Sequence, residues 1–263
     1  MNVVTLASGS KGNCTLFQSE HAKILVDAGI NLTEIEQKLI FLGVDPKNIN
    51  AILVTHEHTD HIKSVAYFSN KYNTKVFANP RIWNKMEQKI GALKPELKIS
   101  ITSSTFYINE LKIDTFPLSH DSVACNGYSF TENAIKLSIA TDLGTFNDSV
   151  VNSLRGSKLI ILEANHDENL LLNNPSYPVF LKKRILSNKG HLSNTLSAEL
   201  IAKLVGEDLN QIVLAHLSEE NNSPTLAYTF IKQYLQKNYG IIEGEHVFID
   251  VSSQYEIGNI FEY

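Results

Sequence analysis

The segment "AILVTHEHTDHIKSV", residues 51–65, constrains the fold and the chemistry of this chain more than any other segment. An apolar run typical of a buried strand ends there in three histidines and one aspartate. In an extended segment alternate side chains point the same way, so His56 and His58 are predicted to converge on one point. Asp60 and His61 follow at the turn into the next helix and are predicted to address a second point nearby. Imidazole and carboxylate groups suit zinc, manganese or iron, so the pattern predicts two adjoining metal sites.

Later strand ends carry further residues of the same kind. His120 closes "DTFPLSH", Asp142 follows "LSIAT", and His216 follows "QIVLA". A sheet delivers the residues at its strand ends to one edge, so these three are predicted to complete the metal sites. The alternative, in which all of them are ordinary polar residues or helix caps, is weakened because every one of them follows an apolar run.

The order of the predicted elements indicates the fold. Residues 3–29 alternate β-branched runs with Gly, Ser and Asn turns and predict three strands. Strand-then-helix patterns follow, then a run of strands over about residues 97–144, then alternating helices and strands that end with "HVFIDVS". Each half carries helices for only one face of its sheet. The fold class is therefore predicted to be α/β (α+β), a four-layer αββα sandwich forming one domain over residues 1–263.

Composition limits the partners that this chain can have. The longest apolar runs are strand-sized, far from the roughly 20 residues that span a bilayer, and the start lacks a signal-peptide pattern. The two cysteines, Cys14 and Cys125, do not make a disulfide framework and are expected to be buried. A cytoplasmic, reduced protein without membrane contact is predicted. The net charge of −5 means that a polyanion must meet a local basic patch or bound cations.

The motif and the three later residues resemble the signature of the metallo-β-lactamase-fold hydrolases, over about residues 3–255. The resemblance implies the αββα fold and two divalent metal ions, Zn or Mn, with Fe as the alternative. One ion would be held by His56, His58 and His120, the other by Asp60, His61 and His216, and Asp142 would bridge both. Two such ions activate a water for hydrolysis at neutral pH. Asp60 is accordingly also assigned a catalytic role.

Two positions distinguish this chain within that family. True lactamases usually have Cys at the position of Asp142, so antibiotic hydrolysis is not expected. Members with di-iron redox chemistry have a carboxylate at the position of His58, so hydrolysis is favoured.

Two later segments resemble paired loops in the branch of the family that cleaves RNA and DNA, where a Glu orients a His near the leaving group. "LEANHD" contains Glu163, and "KGHLSNTLSAEL" contains His191 followed by Ser193 and Asn194. Glu163 and His191 are therefore predicted to be catalytic, with His191 as the general acid and His166 as the alternative. Because a helix start offers backbone N–H groups to an anion, Ser193 and Asn194 are predicted to contact substrate.

Two further segments are predicted to contact phosphate. "SGSKGN", residues 8–13, is a small-residue loop whose Ser8, Ser10 and Asn13 could let a phosphate approach the backbone, although an ordinary turn is the alternative. "FLKKRILSNKG" leads to His191, and its Lys183 and Arg184 are predicted to follow a phosphate backbone rather than merely solvate a helix.

Taken together, these motifs look most like a compact 5′-to-3′ exonuclease type within the family. That resemblance implies DNA as the partner, manganese or zinc as the metal, and a part in DNA repair. The residues alone indicate only a dinuclear metallohydrolase that favours phosphate esters. A small-molecule hydrolase, either a cyclic phosphodiesterase or a glyoxalase-type thioesterase, remains the alternative, and a non-catalytic binding module is the third possibility. The oligomeric state and the preference between DNA and RNA are left open.

Overall fold

Residues 1–206 and 208–263 are described by the structure, a computed structural model. The strands are β1 (Asn2–Ala7), β2 (Cys14–Gln18), β3 (Lys23–Val26), β4 (Ala51–Leu53), β5 (Lys75–Ala78), β6 (Lys98–Ser100), β7 (Thr105–Ile108), β8 (Leu111–Leu118), β9 (Cys125–Glu132), β10 (Ile135–Ala140), β11 (Leu159–Glu163), β12 (Gln211–Ala215), β13 (Phe248–Val251) and β14 (Phe261–Glu262). The helices are α1 (Leu32–Phe41), α2 (Thr59–Ile62), α3 (Val65–Tyr72), α4 (Pro80–Ile90), α5 (Asp148–Leu154), α6 (Glu168–Asn173), α7 (Val179–Ile185), α8 (Asn194–Leu204) and α9 (Pro224–Tyr239).

The strands form two sheets with the same internal plan. The strand order is β14-β1-β2-β3-β4-β5-β6 in the first sheet and β13-β12-β11-β10-β9-β8-β7 in the second. In each sheet an antiparallel meander is followed by parallel strands, from β3 to β6 and from β10 to β13. Parallel neighbours need crossover connections, which place their carboxyl ends at a common edge of the sheet. That edge carries the polar residues predicted above.

The alternation of side chains along the strands produces the layers. In β3, Ile24 and Val26 pack in the core between the two sheets, whereas Leu25 packs in the core beneath helices α1, α3 and α4. Helices α5, α8 and α9 cover the outer face of the second sheet. Phe17 and Phe130 stack across the inner core with ring centroids 4.1 Å apart. Burial on both faces explains the continuous apolar runs, and the predicted four-layer sandwich is confirmed.

Two elements were not predicted from the sequence. "HVFIDVS" does contain β13, but it is not the last strand, because β14 follows it and pairs antiparallel with β1. Strand β14 is only two residues long, which is too short to give a periodic sequence pattern. It is defined only by its long-range pairing with β1. The second element that was not predicted is helix α6, which has six residues and lies between the predicted segments.

None of the helices in the described part of the chain has the length and apolarity needed to span a membrane. The single domain over residues 1–263 stays a prediction.

Candidate metal centre

The predicted metal ligands lie where strands end. His56 and His58 follow β4, Asp60 and His61 lie in α2, and His120, Asp142 and His216 follow β8, β10 and β12. Asp142 and His216 have positive φ angles of 64° and 55°, in the left-handed region that few non-Gly residues occupy. The backbone therefore turns sharply at these two strand ends, where both side chains enter the centre.

The first ligand set consists of His56, His58 and His120. Nδ1 of His58 lies 3.3 Å from Nε2 of His120. The other ring nitrogen of His120, Nδ1, donates to the carbonyl oxygen of Gly190 at 3.0 Å, which orients the ring so that Nε2 faces His58. Nε2 of His56 is buried and has no hydrogen-bond partner among the described residues. Burial and the neighbouring imidazoles hold the pKa of His56 well below 6.5, so it is a neutral imidazole at pH 7, the form that can bind a metal ion.

The second ligand set consists of Asp60, His61 and His216. Oδ2 of Asp60 lies 3.3 Å from Nε2 of His61 and 3.7 Å from Nε2 of His216. Burial lowers the pKa of His216, but the nearby carboxylates of Asp142, Asp60 and Glu163 outweigh burial and raise this pKa to about 10. The attraction that these carboxylates exert on a proton also favours a metal cation, which competes with the proton for the same nitrogens.

Asp142 joins the two sets. Its Oδ2 lies 3.2 Å from Nε2 of His61, and its Oδ1 lies 3.8 Å from Nε2 of His120. The residue is 1% exposed, and Oδ2 lacks a hydrogen-bond partner within the described chain. A buried charge needs a compensating charge, and nitrogen and oxygen donors on both sides of one carboxylate suit a pair of divalent cations. The residues present therefore fit the dinuclear site that the family resemblance implies.

Asp27 and Thr55 support this centre, and neither was among the residues predicted from the sequence. Oδ2 of Asp27 accepts from Nδ1 of His61 at 2.7 Å and from the Thr55 hydroxyl at 2.8 Å, while Oδ1 accepts from the Thr55 amide at 2.9 Å. The carboxylate thereby fixes the ring of His61 with Nε2 facing the centre. The sequence carries a signal for Asp27, because it follows the apolar run "KILV" much as Asp142 follows "LSIAT".

Asp27→Asn is expected to weaken the affinity for divalent metal by about 10- to 100-fold, because removing the charge that orients a ligating His has effects of this size. The measurement is a titration with Zn²⁺ or Mn²⁺ against a competing chelator. Asp250→Asn, a change on β13 outside the centre, is the control and should keep wild-type affinity. Equal affinities of both variants would show that Asp27 only stabilises the fold.

Glu163 links the centre to His191. Its Oε1 lies 2.8 Å from Nδ1 of both His191 and His216, and its Oε2 accepts from the amides of Leu143 and Leu192, each at 3.0 Å. Burial raises the pKa of Glu163, but the charge and hydrogen bond of His191 and the hydrogen bond from His216 outweigh burial and lower it to about 2. Glu163 is therefore ionised at neutral pH and orients both rings.

His191 and His166, the two alternatives for a general acid, differ in protonation. Burial lowers the pKa of His191, but the adjacent carboxylates of Glu163 and Asp142 outweigh burial and hold it above 6.5. Burial lowers the pKa of His166 to about 4, so His166 is neutral at pH 7. His191 also lines an open cavity, whereas His166 is 1% exposed. The geometry favours His191 as the proton donor.

In the small-residue loop, residues 8–13, the side chains of Ser8 and Asn13 make hydrogen bonds within the protein. The Ser8 hydroxyl accepts from the amide of His216 at 2.9 Å, and Asn13 exchanges hydrogen bonds with the backbone of Gly9 while its Nδ2 lies 3.1 Å from Nε2 of His61. Ser8 and Asn13 are both buried. Direct phosphate contacts from these two residues were predicted, and the structure gives them positioning contacts instead. Ser10 is exposed and lines the cavity beside His191.

The predicted substrate contacts at the start of α8 are also corrected. The Ser193 hydroxyl caps α8 and donates to Glu168 at 2.7 Å, and Asn194 pairs with the side chain of Asn222. Both are almost fully buried, at 3% and 1% exposure, so neither presents its side chain to a substrate. A polar pair at a helix start has the same sequence pattern whether it caps the helix or binds an anion.

Lys183 and Arg184, the two residues of α7 that were predicted to contact phosphate, do not share one face of the helix. Leu181, Arg184 and Ile185 line the cavity beside His191, at helical positions i, i+3 and i+4. Lys183 therefore lies on the opposite side of this helix, away from the cavity. Lys183 was predicted to contact phosphate together with Arg184, and only Arg184 is placed to do so.

The fold agrees with a comparison against known families. The model for the metallo-beta-lactamase superfamily matches residues 7–146. The crystal structure of the metallo-beta-lactamase fold protein YhfI from Bacillus subtilis superposes with a TM-score of 0.72 at 14% identity, covering 100% of this chain and 98% of that one. The chain belongs to the metallo-beta-lactamase superfamily. Its class, a metal-dependent hydrolase, is as predicted.

Two curated relatives are similar over almost the whole chain. Exodeoxyribonuclease YycJ of Bacillus anthracis is 35% identical over 240 residues, which make up 90% of this chain and 90% of that protein. Exodeoxyribonuclease WalJ of Streptococcus pneumoniae serotype 2 (strain D39) is 36% identical over 240 residues, covering 90% of this chain and 89% of that protein. Both relatives are exodeoxyribonucleases of the type that the sequence motifs resemble.

Proposed function

We propose that this chain is a metal-dependent exonuclease that removes nucleotides from the ends of DNA. The observation that carries the proposal is the position of Asp142, with one carboxylate oxygen beside each of two His-containing ligand sets. The similarity to two exodeoxyribonucleases over 90% of the chain supports DNA as the substrate. The 5′-to-3′ polarity, the cytoplasmic location and the role in DNA repair belong to this proposal as predictions.

The ligand assignment follows from the two sets. His56, His58 and His120 would hold one divalent ion, Asp60, His61 and His216 the other, and Asp142 both. Bound Zn or Mn ions would activate a water at neutral pH and stabilise negative charge on the phosphate. Asp27 and Glu163 keep His61 and His216 oriented. His191, held through Nδ1 by Glu163, retains Nε2 to protonate the departing alkoxide.

The test is a digestion of three DNA forms by the metal-loaded protein: linear duplex, single strand and covalently closed circle. An exonuclease releases mononucleotides from the linear forms and leaves the circle intact. Labels at the 5′ or the 3′ end of separate substrates report the polarity, and RNA of the same sequence reports the sugar preference. Release of product from a cyclic nucleotide or a thioester, with all DNA left intact, would replace this proposal with the small-molecule alternative.

A further inference from the structure

A cavity of about 270 Å³ adjoins the metal centre at His191. Its lining includes Tyr177, Leu181 and Arg184, from helix α7 and the segment just before it, together with Ser10, Asn165 and Ser218. Because His191 and the backbone of Gly190 also line this cavity, a group bound there would lie directly beside the predicted site of bond cleavage.

Helix α7 contributes residues to the lining of this cavity but none to the buried core. None of the residues of α7, all of them described, is buried. A helix of seven residues is marginal by itself, so α7 depends on a few contacts for its position. One of these contacts is the ion pair between Arg184 and Asp121. Oδ1 of Asp121 lies 3.3 Å from Nε2 of His120, so this pair holds a guanidinium next to the first ligand set.

An exposed aromatic side chain precedes that guanidinium by one helical turn. Phe180 is 73% exposed, and its position four residues before Arg184 places both side chains on the same face of α7. Tyr177 lies at the start of the same segment and lines the cavity. An aromatic ring next to an arginine is the combination by which proteins hold unpaired nucleotides, with bases stacked on rings and phosphate paired with the cation.

We propose that Tyr177, Phe180 and Arg184 form a subsite for an unpaired nucleotide next to the scissile phosphate, an inference that rests on the proposed exonuclease function. Tyr177 and Phe180 stack on bases. The guanidinium of Arg184 exchanges its ion pair with Asp121 for an ion pair with a phosphate of the strand. Bases that are stacked in a duplex cannot lie against these rings, so the subsite selects ends that are single-stranded. Stacking is tolerant of sequence, so we expect little preference among the four bases.

The experiment compares KM for a single-stranded oligonucleotide with KM for the same strand carrying abasic terminal nucleotides, using the metal-loaded protein. The wild type should have a KM that is about 5- to 150-fold lower for the strand with bases, the range expected for one stacked base. Phe180→Ala should lower this ratio, and the double variant Tyr177→Ala/Phe180→Ala should bring it close to one. Phe41→Ala is the matched control, because Phe41 is 80% exposed on α1, and it should keep the wild-type ratio.

Arg184→Ala should act differently from Phe180→Ala. It should raise KM for both strands alike and reduce the slope of log affinity against log salt by about 0.7, the value for one phosphate contact on a single strand. Arg184→Lys should restore that slope. The subsite is refuted if Phe180→Ala and Phe41→Ala give the same ratio, or if the wild type does not distinguish the two strands. A wild type that releases no nucleotide from any DNA would instead refute the exonuclease function, and the subsite with it.

Discussion

Asp142→Asn is expected to reduce the hydrolysis of DNA by several orders of magnitude. Oδ2 of Asp142 lies 3.2 Å from Nε2 of His61, and Oδ1 lies 3.8 Å from Nε2 of His120. Of the two predicted ligands that are carboxylates, Asp60 and Asp142, only Asp142 lies beside both ligand sets. An amide has one oxygen and no charge, and it cannot bridge two cations in the same way. The turnover number with linear DNA at saturating Zn²⁺ or Mn²⁺ is the measurement.

Metal analysis makes this prediction specific. The purified wild type should contain close to two divalent ions per chain, and Asp142→Asn should contain fewer. Asp148→Asn, at the exposed start of α5, is the matched control and should keep both the activity and the metal. Treatment with a chelator should abolish activity in all three proteins. Full activity of Asp142→Asn, or of metal-free wild type, would contradict the assignment of the centre.

The second large effect is expected for His191→Ala. This variant should retain its metals and bind DNA, yet lose about 10²- to 10⁴-fold in turnover, the usual range for one general acid or base. The physical reason is that an alkoxide leaves poorly unless it receives a proton. A nitrophenyl phosphodiester has a good leaving group, so its hydrolysis should fall far less. The comparison of the two substrates separates proton donation from binding.

The pH dependence gives an independent check on His191. The carboxylates of Glu163 and Asp142 raise its pKa above 6.5, so its acid form is present at neutral pH and is lost as the pH rises through the raised pKa. Turnover of DNA by the wild type should therefore decline on the alkaline side, and His191→Ala should lack this decline. His246→Ala, on an exposed turn, should behave as the wild type.

Other outcomes would reassign His191. Loss of a metal ion from His191→Ala would make it a ligand, a role that its distance of 3.6 Å from Oδ1 of Asp142 makes worth testing. Equal losses with DNA and with the nitrophenyl ester would make it a phosphate-positioning residue.

The sequence predicted which residues cluster as candidate metal ligands far better than it predicted the substrate contacts. His120, Asp142 and His216 were predictable because each lies within two residues of the end of an apolar strand run, and strand ends of one sheet converge at one edge. Asp27 carries the same signal and could have been predicted. The roles of Ser193 and Lys183 could not, because they depend on which neighbour a hydroxyl contacts and on which side of a short helix faces the cavity. Strand β14 likewise exists only through its pairing with β1.

The left-handed backbone at Asp27, Asp142 and His216 has an evolutionary consequence. Glycine adopts this conformation more readily than any residue with a side chain, so at these three positions folding favours glycine while the proposed hydrolysis requires a carboxylate or an imidazole. Selection for activity must therefore oppose mutational drift here throughout the history of the lineage. In a duplicated copy released from that selection, we expect glycine or asparagine to appear at these positions early, while Phe17 and Phe130 in the inner core are still retained. Pseudoenzymes descended from this protein should be recognisable by that order of loss.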